Sequence, residues 1–230
     1  MGENAVKLDI IESGSAKDKK TQPIGSAGMI KKQAIKVGLI GGTFDPVHYG
    51  HLLAAEEAYR VFGLSEVVFI PTGSPPHKTQ VLTRAEDRWM MVVIATNECP
   101  YFSVSRIEID RVGNCYTTDT LKELRANPAY DSAEFYFIVG LDALLLIESW
   151  KEPRELLTLC RFIAISRSGY SFVSLNKLPE EYRRVILTLE IPHLDISSSM
   201  IRSREKRGEG IKHLVPPAVE SYIKKHSLYL

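Results

Sequence analysis

The 230-residue sequence is first informative in what it has little of. Its three cysteines, Cys99, Cys115 and Cys160, are odd in number and far apart. That argues against a disulfide framework and suits reduced thiols in a cytoplasm. Charge of one sign is not in excess: 29 Lys and Arg against 28 Asp and Glu leave a net +1. Such a chain has no electrostatic case for bulk nucleic-acid binding, so its basic residues matter locally. No apolar run approaches the length needed to cross a bilayer, and the N-terminus lacks the apolar core of a secretory signal, so no membrane partner is expected. Neither the G-x-x-x-x-G-K-[ST] loop nor G-x-G-x-x-G occurs. What remains is 44% apolar residues in a length that suits one α/β domain, with at most a small appendix.

The strongest positive signal is Gly41-Gly42-Thr43-Phe44-Asp45-Pro46-Val47-His48-Tyr49-Gly50-His51-Leu52. A short apolar run, Ile35 to Ile40, reads as a buried strand before it, and Leu52 to Phe62 reads as a helix after it. A strand, a glycine-rich turn and a helix make a phosphate site, because backbone N–H groups approach the anion and the helix N-terminus favours negative charge. His48 and His51 share one face of that helix start and can reach one group of oxygens. The plain alternative is a capping turn with two surface histidines. A zinc reading lacks a third ligand at a suitable spacing.

Residues 1–34 are rich in Gly, Ser, Lys and Asp with little periodicity, and read as a disordered extension to a folded unit of residues 35–230. Within that unit Glu66–Pro71 is a second buried strand, followed by a Pro-, Gly- and Ser-rich loop from Thr72 to Gln80. Thr83-Arg84-Ala85-Glu86 has a capping-box pattern opening a helix to about Asn97. Short strand signals follow from Tyr101 to Ile109, then a helix from Thr117 to Arg125. Glu134–Val139 is a strand closed by Gly140. A helical region spans about Ala143 to Leu159, interrupted near Pro153. Strands at Arg161–Ser166 and Arg184–Leu189, and helices at Ser198–Arg207 and Pro217–His226, complete the chain. The alternation predicts a Rossmann-like, doubly wound α/β fold with a mostly parallel sheet and helices on both faces. Ligands of such folds bind beyond the carboxyl ends of the strands, where the turns at Gly41, Gly140 and Ile196 all fall.

Ile196-Ser197-Ser198-Ser199-Met200-Ile201-Arg202 is the second signal. Serines opening a helix supply hydroxyl and backbone donors, and Arg202, one turn in, brings a planar fork that suits phosphate oxygens. Beside His48 and His51 this run resembles the Ile-Ser-Ser-Thr-x-Ile-Arg motif of the His-x-Gly-His nucleotidyltransferase superfamily, with Ser199 in place of threonine. Further stretches resemble bacterial nicotinate-nucleotide adenylyltransferases: Pro75-Pro76-His77-Lys78, Glu108-Ile109-Asp110-Arg111 leading to Tyr116-Thr117-Thr118-Asp119-Thr120-Leu121, Gly140-Leu141-Asp142, Trp150, Arg167-Ser168-Gly169-Tyr170, and the tail from Val215 to Ile223. The resemblance covers nearly all of residues 35–230. Cys115 stands where that family usually has serine, and Lys151 where an aromatic or histidine is frequent.

The resemblance implies transfer of AMP from ATP, used with Mg²⁺, to nicotinate mononucleotide. It implies catalytic roles for His48, His51 and Arg202. It implies ATP contacts from Gly41, Gly42, Thr43, Phe44, Gly50, Gly140, Asp142, Ile196, Ser197 and Ser198, and mononucleotide contacts from Lys78, Thr117, Trp150 and Arg167. No all-protein metal cage is expected. Bland alternatives stand beside these roles: Thr117, Asp119 and Asp142 as helix caps, Trp150 as core, Lys78 as a solvated loop lysine. Rival activities are adenylylation of the amide mononucleotide or of phosphopantetheine, transfer of CMP to a small phosphate, or a nucleotide-binding module without turnover.

Overall fold

The computed structural model describes residues 34–75, 83–167, 171–192 and 194–230. The expected extension at residues 1–34 lies outside them but for Ala34. Six strands form one sheet: β1 Ile35–Gly42, β2 Glu66–Pro71, β3 Phe102–Val104, β4 Ala133–Gly140, β5 Arg161–Arg167 and β6 Ile186–Ile191. Their order is β3-β2-β1-β4-β5-β6, and every pairing is parallel. The chain therefore winds outward from β1 through β2 to β3, returns to lay β4 on the other side of β1, and winds outward again. The point of reversal lies between β1 and β4, where Leu39 pairs with Phe137 and Ile40 with Ile138. A crevice opens at the carboxyl ends of strands at such a reversal.

Parallel strands covered on both faces need apolar side chains at every position, which is why these strands read as continuous apolar runs. Alternate residues feed two core layers. Val37, Leu39, Val68, Ile70, Phe135 and Phe162 point to one layer. Ile40, Val67, Phe69, Ile138 and Ile163 point to the other. The second layer is closed by Ala54, Ala55 and Ala58 of α1 (Tyr49–Phe62), Met91 and Val92 of α2 (Ala85–Thr96), Ile201 of α7 (Ser198–Lys206) and Val219 of α8 (Pro217–Lys225). The first is closed by Leu121 of α3 (Thr117–Ala126), Leu144 of α4 (Leu141–Leu144) and Leu156 of α5 (Pro153–Leu159). The helix α1 ends at Gly63, whose φ of 59° places it in the left-handed region, with its N–H on the Tyr59 carbonyl.

Three local expectations are corrected. The Thr83–Glu86 capping box does not form: Arg84 is the N-cap of α2 without a side-chain bond, and Glu86 instead accepts from Arg106 at 2.7 and 3.0 Å. The helical region predicted from Ala143 to Leu159 is α4, a 3₁₀ turn at Ile147–Ser149, and α5. The break is wider than Pro153 alone explains, because Glu152 takes a left-handed backbone with φ 49°. The last strand begins two residues late, because α6 (Glu180–Arg183) and its closing turn occupy the start. Among the described residues no helix is long and apolar enough to cross a membrane.

Candidate active site

The strand β1 delivers Gly41 and Gly42 to the reversal point. Phe44, a non-glycine residue with φ 49°, turns the chain back so that its buried ring lies over Gly42. Asp45–Pro46 is a cis peptide, and Asp45 is almost fully buried. His48 follows as the extended N-cap of α1, and His51 is the third residue of its first turn.

The backbone N–H of His48 donates to Nδ1 of His51 at 3.2 Å. With Nδ1 accepting, the neutral His51 ring carries its proton on Nε2, which makes that edge a donor. The two imidazoles stack with centroids 3.6 Å apart, and Phe44 meets His51 edge-on at 5.0 Å. Gly50 leaves little room for a side chain against His48: a Cβ there would lie 3.0 Å from His48 Nδ1 and 3.1 Å from Cε1, so the ring would have to give by a few tenths of an ångström. That close approach favours glycine at this position.

The second motif docks onto the first. Ser197 caps α7, its Oγ accepting from Met200 N–H at 3.3 Å. Ser198 Oγ donates to the Pro46 carbonyl at 2.9 Å, and Arg202 Nη1 donates to the Asp45 carbonyl at 2.7 Å. Ile196 is buried, with its carbonyl 3.9 Å from the place of a Gly50 Cβ. Thus the N-termini of α1 and α7 are held together through the Asp45–Pro46 turn. Two helix N-termini, a histidine pair and a guanidinium at one place make a site for a polyanion.

A framework that sequence reading missed holds this turn. Arg88 of α2 is 1% exposed and donates to three carbonyls: Thr43 at 2.8 Å, Gly73 at 3.0 Å and Thr83 at 3.0 Å. Burial pushes its guanidinium pKa down, and the Asp45 charge opposes that. Its clue was positional, since an arginine at the same helical face as Met91 and Val92 belongs to a core pattern. The Asp45 carboxylate accepts from Tyr229 at 2.8 Å and from Thr83 N–H at 3.4 Å.

Across the reversal, Gly140 ends β4 and caps α4. Asp142 is exposed and makes no capping bond; its Oδ1 folds back to within 2.6 Å of where a Gly140 Cβ would stand. The capping alternative for Asp142 therefore fails, while its carboxylate stands at the strand end. Thr117 is the first residue of α3, after the extended N-cap Tyr116. Thr117 and Asp119 make no capping bond. Trp150 is half-buried, meeting Phe137 and Phe162 edge-on at 6.2 and 6.4 Å. Its loop is tied to α3, for Thr118 Oγ1 donates to the Lys151 carbonyl at 2.6 Å. So the structure brings Thr117 and Trp150 to neighbouring elements. Cys115 is buried and donates to the Glu108 carbonyl at 3.4 Å. Glu108 itself is buried and accepts from Thr120 at 2.7 Å; burial pushes its carboxyl pKa up. Lys78 and the side chain of Arg167 lie outside the described residues. Among the described residues no group of three or more His, Cys, Asp or Glu is placed to hold a metal ion.

The cytidylyltransferase-like family model matches residues 39–204. A protein of Moorella thermoacetica named probable nicotinate-nucleotide adenylyltransferase is 48% identical over 199 residues, covering 84% of this chain and 91% of that one. A protein of the same name from Leifsonia xyli subsp. xyli is 46% identical over 201 residues, covering 87% and 97%. The solved structure of Plasmodium falciparum nicotinic acid mononucleotide adenylyltransferase complexed with NaAD matches with a TM-score of 0.69 at 25% identity, covering 85% of this chain and 97% of that one. The same enzyme complexed with APC gives 0.67.

Proposed function

The chain belongs to the cytidylyltransferase-like family and, within it, to the nicotinate-nucleotide adenylyltransferases, and we infer that it transfers AMP from ATP to nicotinate mononucleotide, releasing pyrophosphate and nicotinate adenine dinucleotide. A phosphate oxygen of the mononucleotide attacks the α-phosphorus of ATP in line. A bond forms from that oxygen to phosphorus, and the bond to pyrophosphate breaks. The attacking phosphate is ionised near neutral pH, so no general base is needed. Catalysis is positioning plus stabilisation of the charge that builds on the α-phosphoryl oxygens and on pyrophosphate.

We assign the triphosphate to the junction of α1 and α7. His51, protonated on Nε2, donates to a phosphate oxygen, with His48 stacked against it. Arg202 and the Ser197–Ser198 helix start take the departing pyrophosphate. Gly41 to Phe44 shape the floor, with Gly50 and Ile196 beneath, and Gly140 and Asp142 meet the ribose. Thr117 and Trp150 receive the nicotinate, and Lys78 and Arg167 belong by resemblance to the mononucleotide side. Mg²⁺ would be held mainly by the phosphates of ATP and by water, and would supply neutralisation of the triphosphate charge. The site offers imidazoles, hydroxyls and a guanidinium, whereas Mg²⁺ prefers anionic oxygens. The Asp45 carboxylate is already engaged by Tyr229 and Thr83. The three cysteines are free thiols, which suits the cytoplasm.

The observation that carries this reading is the pair of bonds from Ser198 and Arg202 to the Pro46 and Asp45 carbonyls, which makes one site from two distant motifs. A pyrophosphate-release assay with ATP, Mg²⁺ and a panel of acceptors tests it. Nicotinate mononucleotide should turn over, and preferentially to its amide. Turnover of phosphopantetheine with none of nicotinate mononucleotide would overturn the assignment.

A further inference from the structure

Lys151 departs from the family's usual residue at its position, and its ammonium does not point away into water. Lys151 Nζ lies 2.8 and 2.9 Å from the two carboxylate oxygens of Asp119. It also sits 5.0 Å above the ring of Tyr116, the N-cap of α3. The Lys151 carbonyl accepts from Thr118. The residue that follows Trp150 is therefore laid across the first turn of α3, touching Tyr116, Thr118 and Asp119 in succession. Its ammonium pKa is raised, chiefly by the bond to Asp119, so it stays charged.

The charge arrangement has a consequence. The α3 N-terminus exposes backbone N–H groups whose dipole favours an anion. Asp119, the third residue of that helix, places a negative charge in the same turn. Left alone it would repel a second carboxylate arriving beside Thr117. A cation bound to both its oxygens cancels that charge. The amide mononucleotide shares the shape and the cationic pyridinium ring but lacks the carboxylate, so it brings no negative charge there for Asp119 to repel.

We propose that Lys151 is a specificity-determining residue that sets acid over amide preference indirectly, by neutralising Asp119 at the start of α3. The proposal rests on the reading that Thr117 and Trp150 receive the nicotinate ring. Direct contact of Nζ with the substrate carboxylate is not required: the two-oxygen bond to Asp119 and the Tyr116 ring hold Nζ at the helix.

The test compares kcat/KM for nicotinate and nicotinamide mononucleotide in wild type, K151M, D119N and the double variant. K151M should lower the acid-to-amide ratio roughly three- to tenfold, the scale for one charge at a partly exposed site. The loss should appear in KM for the acid, with the amide moving little. D119N should keep or raise the ratio. The double variant should return it to near the wild-type value, since no net charge then remains. K151R should keep it. Equal losses for both substrates in K151M would show a structural strap and overturn the proposal. So would a double variant no better than K151M. A wild-type ratio near one would overturn the acid-specific reading itself, and the proposal with it; an acid-to-amide ratio unchanged in K151M overturns the proposal alone.

Discussion

The Tyr229 hydroxyl donates to Asp45 Oδ1 at 2.8 Å, joining residues 184 apart in sequence. Asp45 in turn offers its carbonyl to Arg202, so the segment after α8 braces the arginine that we assign to the triphosphate. Burial and the Asp45 charge push the Tyr229 phenol pKa well up, so the phenol keeps its proton and stays a donor. Tyr229→Phe removes only that hydroxyl and leaves a buried carboxylate short of one partner. The expected cost is about 1–3 kcal/mol in urea unfolding. A rise of several-fold in KM for ATP should accompany it, with KM for the mononucleotide much less affected. An unchanged KM for ATP would uncouple the C-terminal segment from the nucleotide turn.

The histidines should separate by readout. His51→Ala and His48→Ala should each lower kcat by roughly 10²–10³, the scale for one lost charge-stabilising donor. Only His48 is buried, at 4% exposure, so its alanine variant should also melt earlier, while His51→Ala should melt near wild type. Initial rates and thermal melts on the same preparations check both. Wild-type activity in either variant would remove that ring from the mechanism.

Glu108 gives a pH dependence of stability. Its folded pKa is raised by burial, the Thr120 bond and the Arg111 charge opposing. A group whose folded pKa exceeds its unfolded value stabilises the fold below the unfolded value, and that contribution is lost as pH rises through the folded one. Glu108→Gln removes the titration while keeping an acceptor for Thr120. The variant should gain on wild type as pH rises above about 4.5, the ordinary carboxyl value, and should be the more stable at neutral pH. Denaturant unfolding at acid and neutral pH measures this. A stability difference flat with pH would show that Glu108 does not titrate in the folded protein.

Residues 1–28 should be dispensable. They precede β1, and their Gly-, Ser-, Lys- and Asp-rich sequence has little periodicity. A truncated chain should keep its melting temperature and its kcat. Insolubility or lost turnover would show that the segment is needed by the folded unit.

The order of elements was legible because strands covered on both faces must be continuous apolar runs, and the helices between them keep their period. The two nucleotide motifs were legible because their residue types have few other uses at that spacing. What was not legible depends on contacts between distant segments. Arg88 could be suspected from its place beside Met91 and Val92, but its three carbonyl partners come from two separate loops, Thr43 after β1 and Gly73 and Thr83 at the two ends of the β2–α2 connection. Tyr229 carried no local signal, because its partner is 184 residues away. The Thr83–Glu86 pattern misled for the same reason: Glu86 found Arg106 and Thr83 found Asp45, and both outcompeted a local cap.

Gly50 sets two effects against each other, and their signs differ by readout. It is the second residue of α1, where alanine is the better helix former by up to about 1 kcal/mol. On propensity alone Gly50→Ala should stabilise the protein. A Cβ there, however, would stand 3.0 Å from His48 Nδ1, closer than an ordinary contact. The His48 ring is buried and already stacked on His51, so it cannot swing away without disturbing that stack. It must shift by a few tenths of an ångström and carry His51 with it. The melting temperature should therefore change little, the two terms offsetting, while kcat falls by roughly tenfold or more, since small misplacements of reacting groups are costly. Gly50→Ser should behave alike, which separates the steric effect from any change in polarity. Full activity in Gly50→Ala would mean that the stacked histidine geometry is not what positions the phosphates.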